Sequence, residues 1–443
     1  MNPTTRQPNR LFTRLWFFAV LACAGACPAQ ELVLTPDHPD GIYQIGEKAV
    51  WQVEWKSPTT APSTVSYTAK QGGLKEIASG TLTLGHPAAV GGKLDSAGAL
   101  LVEVKTTGSD GKEYRGVGGA IAQPDAIKPS SPRPDDFDSF WDAKLKELAS
   151  VPPNPVLQAG DGGKPGVEYF KITMDNIRGT HIQGQLARPA RGAADQKLPA
   201  LLIVQWAGVY GLEKGWVTDR AADGWLALNI NPHDIPIDQQ PEFYKQQLEG
   251  PLKNYWEIGN DDRDTSYFLR MYLSCYRAAE YLTSREDWDG KTLVVMGASQ
   301  GGMQSLMTAA IHPKITAALA DVPAGCDMLG PDIGRAPGFP MWYWKTEGRD
   351  SAKVRNASRY YDVVNFTPQI KCPVLVGIGL LDEVCPPEGC FAATNLIQSP
   401  KEIHLMPLAQ HQEINKSHDP FSKRCWEVWL PALRKGQAAP VER

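Results

Sequence analysis

A serine flanked by glycines follows a short apolar run in this chain. Ser299 lies in the sequence GASQGG, directly after the β-branched run Thr292–Met296. Such a run predicts a buried strand, and Met303–Ile311 predicts a helix. At so tight a turn Gly297 and Gly301 are needed, because a Cβ at either position would collide with the adjoining elements. The pattern favours a nucleophilic serine over a glycine turn without chemistry.

A serine hydroxyl is a poor nucleophile at neutral pH and needs an imidazole to accept its proton and an acid to orient that imidazole. The acid is expected just beyond a later strand, in the chain order serine, acid, histidine. Asp382 follows the apolar run Cys372–Ile378 and is the predicted acid. Its neighbour Glu383 is the alternative, but Asp382 comes first after the strand.

Three of the eight histidines follow Asp382 in the chain, namely His404, His411 and His418. His404 lies inside a predicted strand, which favours a half-buried structural role. His418 lies in a polar stretch that predicts the continuation into a helix. His411 lies on the loop that leaves the last predicted strand, where the general base is required, and is therefore the predicted base.

Acyl transfer also requires two donors aimed at the developing oxyanion. The backbone N–H of Gln300, directly after the nucleophile, is the first predicted donor. The second is expected from the loop 205–210 after an earlier strand, where Gly208 permits close approach and Val209 is the preferred donor. Tyr210 and Ala207 are the alternatives at this position.

Aromatic residues near these loops are predicted to line the substrate pocket. We assign this role to Trp206 and Tyr210 in the oxyanion loop, and to Trp342 in the aromatic stretch 335–344. Core packing is the alternative for Trp342. The long segment 232–266 is predicted to shape the same pocket, because it exceeds the length of a simple strand-to-helix connection.

The second half of the chain alternates apolar runs with helical periodicity, which predicts a mostly parallel sheet flanked by helices. An antiparallel hairpin, 167–173 with 181–188, is predicted at the leading edge of that sheet. The predicted strands that follow it are Leu198–Trp206, Gly224–Asn231, Lys291–Met296, Ile315–Asp321, Cys372–Leu380 and Glu402–Pro407.

The first part of the chain has a different pattern. Residues 1–29 carry arginines, a short apolar run and small residues, which predicts a signal peptide and a periplasmic or secreted protein. A lipid-anchored start at Cys23 or Cys27 is the alternative. Alternating short runs over 30–123 predict a small β-sandwich, the proline-rich stretch 124–134 a linker, and 135–435 the catalytic domain.

Composition excludes several classes of function. The chain has 45 basic and 49 acidic residues and a formal charge of −4, so no broad basic surface is expected for nucleic acid. No apolar segment approaches the length of a membrane span. Six cysteines follow the predicted signal peptide, none with zinc-ribbon spacing, and buried free thiols are expected. Neither a metal nor a cofactor is predicted.

Several motifs resemble the acetyl xylan esterases and cephalosporin-C deacetylases of carbohydrate esterase family 7. The resemblance spans about residues 132–429. It rests on PDDFDSFW at 134–141, on RAAEYL at 277–282, on GASQGG at 297–302 and on GLLDEVCPP at 379–387. It implies an α/β-hydrolase fold and a triad of Ser299, Asp382 and His411 that removes acetyl groups from sugars. Because family members often form ring-shaped hexamers, it also implies a homo-oligomer.

Two motifs depart from the family pattern. The oxyanion loop reads WAGV at 206–209, where the family has Gly-Tyr after an aromatic residue and a histidine, and His411 lies in QHQ where the family has Gly-His-Glu. The predicted function is an exported serine esterase of acetylated sugars. The alternatives are a peptidase or another ester hydrolase of this fold, and a non-catalytic glycan-binding protein.

Overall fold

The computed structural model of the protein describes residues 32–56, 60–84, 88–190 and 197–442. The predicted signal peptide at 1–29 lies outside the described residues. Within them, two small sheets precede one large mixed sheet that is flanked by helices. The predicted α/β-hydrolase fold is confirmed.

The first two sheets are packed around one apolar core. A three-stranded antiparallel sheet has the order β1-β3-β6, and a five-stranded sheet has the order β2-β8-β7-β4-β5. Trp51 is fully buried in the core between them, as the alternation of its strand predicts. The strands are β1 (Leu32–Pro36), β2 (Ile42–Tyr43), β3 (Lys48–Trp55), β4 (Thr64–Gln71), β5 (Lys75–Thr83), β6 (Ala89–Lys93), β7 (Gly98–Thr107) and β8 (Glu113–Ala122).

Residues 124–134, predicted as a linker, form hydrogen bonds to later parts of the chain. It begins with a 3-10 turn at Pro124–Ala126. Both the backbone N–H and the hydroxyl of Ser130 donate to one carboxylate oxygen of Asp327, and Arg133 donates to the carbonyl of Asn365. These bonds hold the segment against the body that follows it.

The large sheet has nine strands in the order β17-β16-β15-β14-β12-β13-β11-β10-β9. Strands β12 to β17 are parallel, and β9 to β11 form an antiparallel edge. The predicted hairpin and the six predicted strands are confirmed, while β9 is an additional edge strand. The strands are β9 (Val156–Gly160), β10 (Val167–Asp175), β11 (His181–Pro189), β12 (Leu198–Val204), β13 (Leu226–Ile230), β14 (Trp288–Ala298), β15 (Ala317–Asp321), β16 (Val374–Gly379) and β17 (Lys401–Met406).

Helices cover both faces of this sheet and give it two apolar cores. One face packs against α1, α4, α5 and α7, and the other against α2 and the C-terminal helices. The helices are α1 (Phe137–Ala149), α2 (Gly215–Ala222), α3 (Pro241–Glu249), α4 (Tyr267–Ser284), α5 (Gln300–Ile311), α6 (Ser351–Ser358), α7 (Pro387–Thr394), α8 (Asp419–Lys423) and α9 (Leu430–Arg434), with a π-helical turn at Arg424–Trp429 and a 3-10 turn at Tyr255–Glu257. Burial on both faces explains the continuous apolar runs of the central strands.

The N-terminal strands contact the loop after β16. Arg115 on β8 forms an ion pair with Glu383, with 2.6 Å between Nη2 and Oε2. The N–H of Ala99 on β7 donates to the buried carboxyl group of Glu388 on α7. Gly119 on β8 packs so closely on this loop that an added Cβ would lie 2.8 Å from the carbonyl oxygen of Leu380.

Two further expectations concern the described residues as a whole. The six cysteines predicted to be buried free thiols are all buried, and no disulfide joins any two of them: Cys275, Cys326, Cys372, Cys385, Cys390 and Cys425. No helix within the described ranges combines the length and the apolar character that a membrane crossing requires.

Candidate active site

The large sheet brings the three predicted triad residues together at one edge. Ser299 follows β14 directly, Asp382 lies three residues after β16, and His411 lies five residues after β17. Because these strands are parallel, their carboxyl ends all lie at the same edge, where ligands bind in open α/β sheets. All three side chains are buried.

Ser299 occupies a strained turn between β14 and α5. Its φ of 56° and ψ of −121° lie outside the regions that non-glycine residues favour. The turn is held by hydrogen bonds from the N–H of Ser299 to the carbonyl of Asp321 and from the N–H of Ala324 to the carbonyl of Ser299. A Cβ on Gly297 or Gly301 would lie 2.6 Å from the carbonyl oxygen of Val204, so the predicted need for small neighbours is met by the backbone of β12.

A continuous chain of hydrogen bonds links the three side chains. The distance from His411 Nε2 to Ser299 Oγ is 2.9 Å, and the distance from His411 Nδ1 to Asp382 Oδ2 is 2.8 Å. Because an ionised carboxylate only accepts, Nδ1 carries the hydrogen and Nε2 of the neutral ring is left to accept the serine proton. This tautomer is the one that general-base catalysis requires.

The surroundings of the two candidate acids separate them. The second oxygen of Asp382 accepts the N–H groups of Val384 at 2.8 Å and Cys385 at 2.7 Å, which fixes the carboxylate toward His411. Glu383 is exposed and pairs with Arg115 instead. The structure therefore brings Asp382, and not Glu383, to the histidine.

The two other candidate histidines have different partners. His404 bonds to Glu402 at 2.7 Å on β17, as expected for a structural histidine. The chain continues into helix α8 directly after His418, as predicted, and the His418 side chain lies buried against Asp321 on β15. The sequence carries no signal for this pair, because 97 residues separate its members.

The two predicted oxyanion residues are joined through one tyrosine. Gln300 is the first residue of α5, so its backbone N–H has no partner within the helix and can bind an anion. The hydroxyl of Tyr255 donates to Gln300 Oε1 at 2.6 Å and accepts the N–H of Gly208, next to Val209, at 3.3 Å. Burial raises the pKa of Tyr255 above its usual range, which keeps this hydroxyl protonated.

A buried histidine fastens the same loop from the other side. His233 Nε2 lies 2.8 Å from the carbonyl oxygen of Gly208, and Nδ1 lies 2.7 Å from the hydroxyl of Tyr267. Burial lowers the pKa of His233 to about 3, so the ring is neutral, donates through Nε2 and accepts through Nδ1. Sequence reasoning missed this contact, because 25 residues separate His233 from Gly208 and no local pattern links them.

The three predicted pocket aromatics have different positions. Trp206 and Tyr210 both belong to the loop 205–210 and stack on each other at a ring distance of 5.2 Å. The prediction for Trp342 is wrong, because its side chain is fully buried against Phe268 and its indole N–H donates to the carbonyl of Trp256. An aromatic cluster inside the core leaves it no surface for a sugar.

Cys385 lies beside the triad, and its thiol could join Asp382 and His411 as metal ligands, since their ligand atoms lie within 4.8 Å of one another. The hydrogen bond between the acid and the base already occupies two of these atoms, and a metal would have to break it. Burial, with a smaller contribution from the charge of Asp382, raises the pKa of Cys385 and keeps the thiol neutral. A neutral thiol is a poor metal ligand.

We expect Tyr255→Phe to lower kcat about tenfold, because it removes the hydroxyl that joins Gln300 to the predicted oxyanion loop, and preorganised donors at such sites contribute strongly to catalysis. The buried amide groups left unpaired should also cost about 1–3 kcal/mol of stability. Steady-state kinetics on p-nitrophenyl acetate and thermal unfolding measure the two effects.

The matched control is Tyr169→Phe. Tyr169 is also buried and donates to a glutamine, Gln185, but lies on β10, next to the edge strand β9 and away from the triad. This variant should lose stability and keep kcat. An unchanged kcat in Tyr255→Phe would contradict the role of Tyr255 in the site.

Comparison with known proteins identifies the family. The profile of the acetyl xylan esterase family (AXE1) matches residues 123–426. The acetyl esterase Axe7A of Xylanibacter ruminicola is 32% identical over 437 residues, which cover 96% of this chain and 97% of that protein. The match to Axe7A therefore extends across the N-terminal strands, which the family profile does not include.

Two solved structures give the same result for the fold. Acetyl xylan esterase 1 from Thermoanaerobacterium sp. JW/SL YS485 has a TM-score of 0.58 and 25% identity, covering 69% of this chain and 98% of its own. The acetyl xylan esterase from Paenibacillus sp. R4 has a TM-score of 0.58 and 26% identity, covering 70% and 98%. The chain belongs to the acetyl xylan esterase family of α/β-hydrolases and is a carbohydrate esterase.

Proposed function

We propose that this protein is an exported serine esterase that removes O-acetyl groups from xylan-derived or related sugars through an acetyl-Ser299 intermediate. The observation that carries the proposal is the hydrogen-bonded chain from Ser299 through His411 to Asp382, with distances of 2.9 and 2.8 Å. Membership of the acetyl xylan esterase family supports the acetylated sugar as substrate.

The reaction has two halves. Ser299 Oγ attacks the acetyl carbonyl while His411 Nε2 takes the hydroxyl proton, and collapse of the tetrahedral intermediate breaks the ester bond as His411 returns that proton to the sugar oxygen. Water then attacks the acetyl-serine, gives a proton to His411, and the proton returns to Ser299 Oγ as acetate leaves. Asp382 keeps His411 in the required tautomer and stabilises the imidazolium.

Two backbone donors are assigned to the oxyanion of both intermediates. The N–H of Gln300 is supported by its position at the first residue of α5, directly after the nucleophile. The N–H of Val209 is supported by the Tyr255 bridge, which holds the neighbouring Gly208 to the Gln300 side chain. Trp206 and Tyr210, stacked within this loop, are assigned to the substrate pocket.

The remaining assignments concern export and organisation. We assign residues 1–29 to a signal peptide, 30–123 to an accessory β-sandwich and 135–435 to the catalytic domain, and we expect a periplasmic or secreted homo-oligomer. N-terminal sequencing of the protein recovered outside the cytoplasm, together with light scattering on the purified protein, would check the cleavage and the assembly.

Substrate preference is tested with acetylated xylo-oligosaccharides, p-nitrophenyl butyrate and an aminoacyl p-nitroanilide, each assayed on wild type. We expect the acetylated sugars to be turned over with the highest kcat/KM, and the anilide to be inert. In parallel, a fluorophosphonate probe should label the protein at Ser299, as identified by peptide mass spectrometry. Preferential cleavage of the anilide, or labelling at another serine, would overturn the proposal.

A further inference from the structure

A second buried histidine and aspartate pair lies behind the proposed triad. His418 and Asp321 are 1% and 7% exposed, and their Nδ1 and Oδ2 atoms lie 3.1 Å apart. His418 Nε2 lies 2.9 Å from the carbonyl oxygen of Gln410. Both of these oxygens are acceptors, so both ring nitrogens must donate, and the ring is an imidazolium paired with a carboxylate.

The pair joins the two sides of the site. Gln410 directly precedes His411, so the Nε2 bond restrains the backbone next to the proposed base. Asp321 lies at the end of β15, where its own carbonyl accepts the N–H of Ser299 at 2.9 Å. The imidazolium of His418 therefore connects the residue that fixes the nucleophile turn to the loop that carries the base.

A second tether holds the same loop. The carbonyl of Ala409 accepts the N–H of Leu381 at 2.9 Å, which ties the loop to the segment that carries Asp382. The consecutive carbonyls of Ala409 and Gln410 thus reach the acid segment and the His418 pair. Loss of the bond between His418 Nε2 and the Gln410 carbonyl would free the backbone next to His411, while the Ala409 tether remained.

From these contacts we infer that His418 and Asp321 are positioning residues, which hold His411 at hydrogen-bond distance from Ser299 without touching the substrate. The inference rests on the proposed role of Ser299 and His411.

The charges around His418 favour its protonated form. Asp321 faces it from β15 and Glu413 from its own loop, with Lys416 and Asp419 close by. Burial opposes the charge, but the two carboxylates and the Gln410 carbonyl outweigh it and raise the pKa of His418 to about 9. The protonated His418 should therefore hold the Gln410 carbonyl fully below the ordinary histidine pKa near 6.5. This hold should be lost as pH rises through about 9, where His418 loses its proton.

The test compares His418→Gln and Asp321→Asn with wild type on p-nitrophenyl acetate across pH. We expect kcat to fall 10- to 100-fold with KM changed less than about twofold, since a 1 Å misplacement of a catalytic group costs about 10²-fold. Wild type should lose kcat reversibly near pH 9, and this alkaline limb should be absent in His418→Gln. A general loss of structure would not produce the last change.

His312→Gln is the matched control, because His312 is also buried but lies at the end of α5 against Tyr276. Its kcat and alkaline limb should match wild type. Kcat within twofold of wild type in both pair variants, with the alkaline limb retained, would overturn the inference. If the variants fail to fold, the wild-type profile decides, and a kcat that does not fall near pH 9 overturns it.

Ser299→Ala, assayed in parallel, separates the two levels of argument. An inactive Ser299→Ala with fully active pair variants defeats only the positioning role. An active Ser299→Ala defeats the proposed function and the positioning role together.

Discussion

Ser299→Ala is expected to lower kcat for acetyl ester hydrolysis on the order of 10⁶-fold, which corresponds to ~8 kcal/mol of transition-state stabilisation. The methyl group cannot form the acyl intermediate, and His411 Nε2 loses its partner at 2.9 Å. The fold should persist, because Ser299 is held by its backbone bonds to Asp321 and Ala324 rather than by its hydroxyl. Kinetics with p-nitrophenyl acetate and thermal unfolding measure both properties.

The matched control for this variant is Ser305→Ala in α5, the helix that begins directly after Ser299. Ser305 is also buried, and its hydroxyl donates to the carbonyl of Gly301 one turn earlier. This variant should retain kcat, and the fluorophosphonate should label it to the same extent as wild type. Substantial turnover by Ser299→Ala would remove the nucleophile from the proposal.

Asp382→Asn is expected to lower kcat about 10⁴-fold with little effect on the fold. The amide group would present a donor toward His411 Nδ1 and favour the tautomer whose Nε2 carries hydrogen, so the ring could no longer accept the serine proton. The single oxygen of the asparagine side chain can still accept the N–H groups of Val384 and Cys385. Single-turnover acylation of the variant isolates the affected step.

Glu383→Gln is the control for the choice between adjacent acids. Glu383 is exposed and loses only its ion pair with Arg115 in this variant, a contact that is worth about 0–1 kcal/mol at a surface. We expect kcat within twofold of wild type. A larger loss in Glu383→Gln than in Asp382→Asn would exchange the two assignments.

The parts of the fold predicted from sequence are those with strong local signals. The central strands are apolar along their whole length because helices cover both faces, and this made all six parallel strands recognisable. The edge strand β9 was missed because its residues are exposed, which leaves no apolar pattern to detect. The triad followed from chain order, since each member lies just beyond a predicted strand.

The missed contacts are those that depend on tertiary proximity. Tyr255 meets Gln300 across 45 residues, and His418 meets Asp321 across 97 residues. No local pattern encodes such pairs, because their members come from distant parts of the chain. The error at Trp342 has the opposite cause, because an aromatic run in a sequence does not distinguish a binding wall from a core.

The contact between the N-terminal strands and the loop after β16 has a consequence for modularity. Ala99 supplies a hydrogen bond to buried Glu388, Gly119 packs against Leu380, and both partners flank the segment that carries Asp382. A chain lacking residues 32–122 would expose the surface around Leu380 to water and leave Glu388 with its ion pair to Arg335 but without the N–H of Ala99. We therefore expect the stability of residues 32–122 and that of the catalytic region to be coupled. Replacing residues 32–122 with an unrelated binding module would then also alter the rigidity of the segment that carries Asp382.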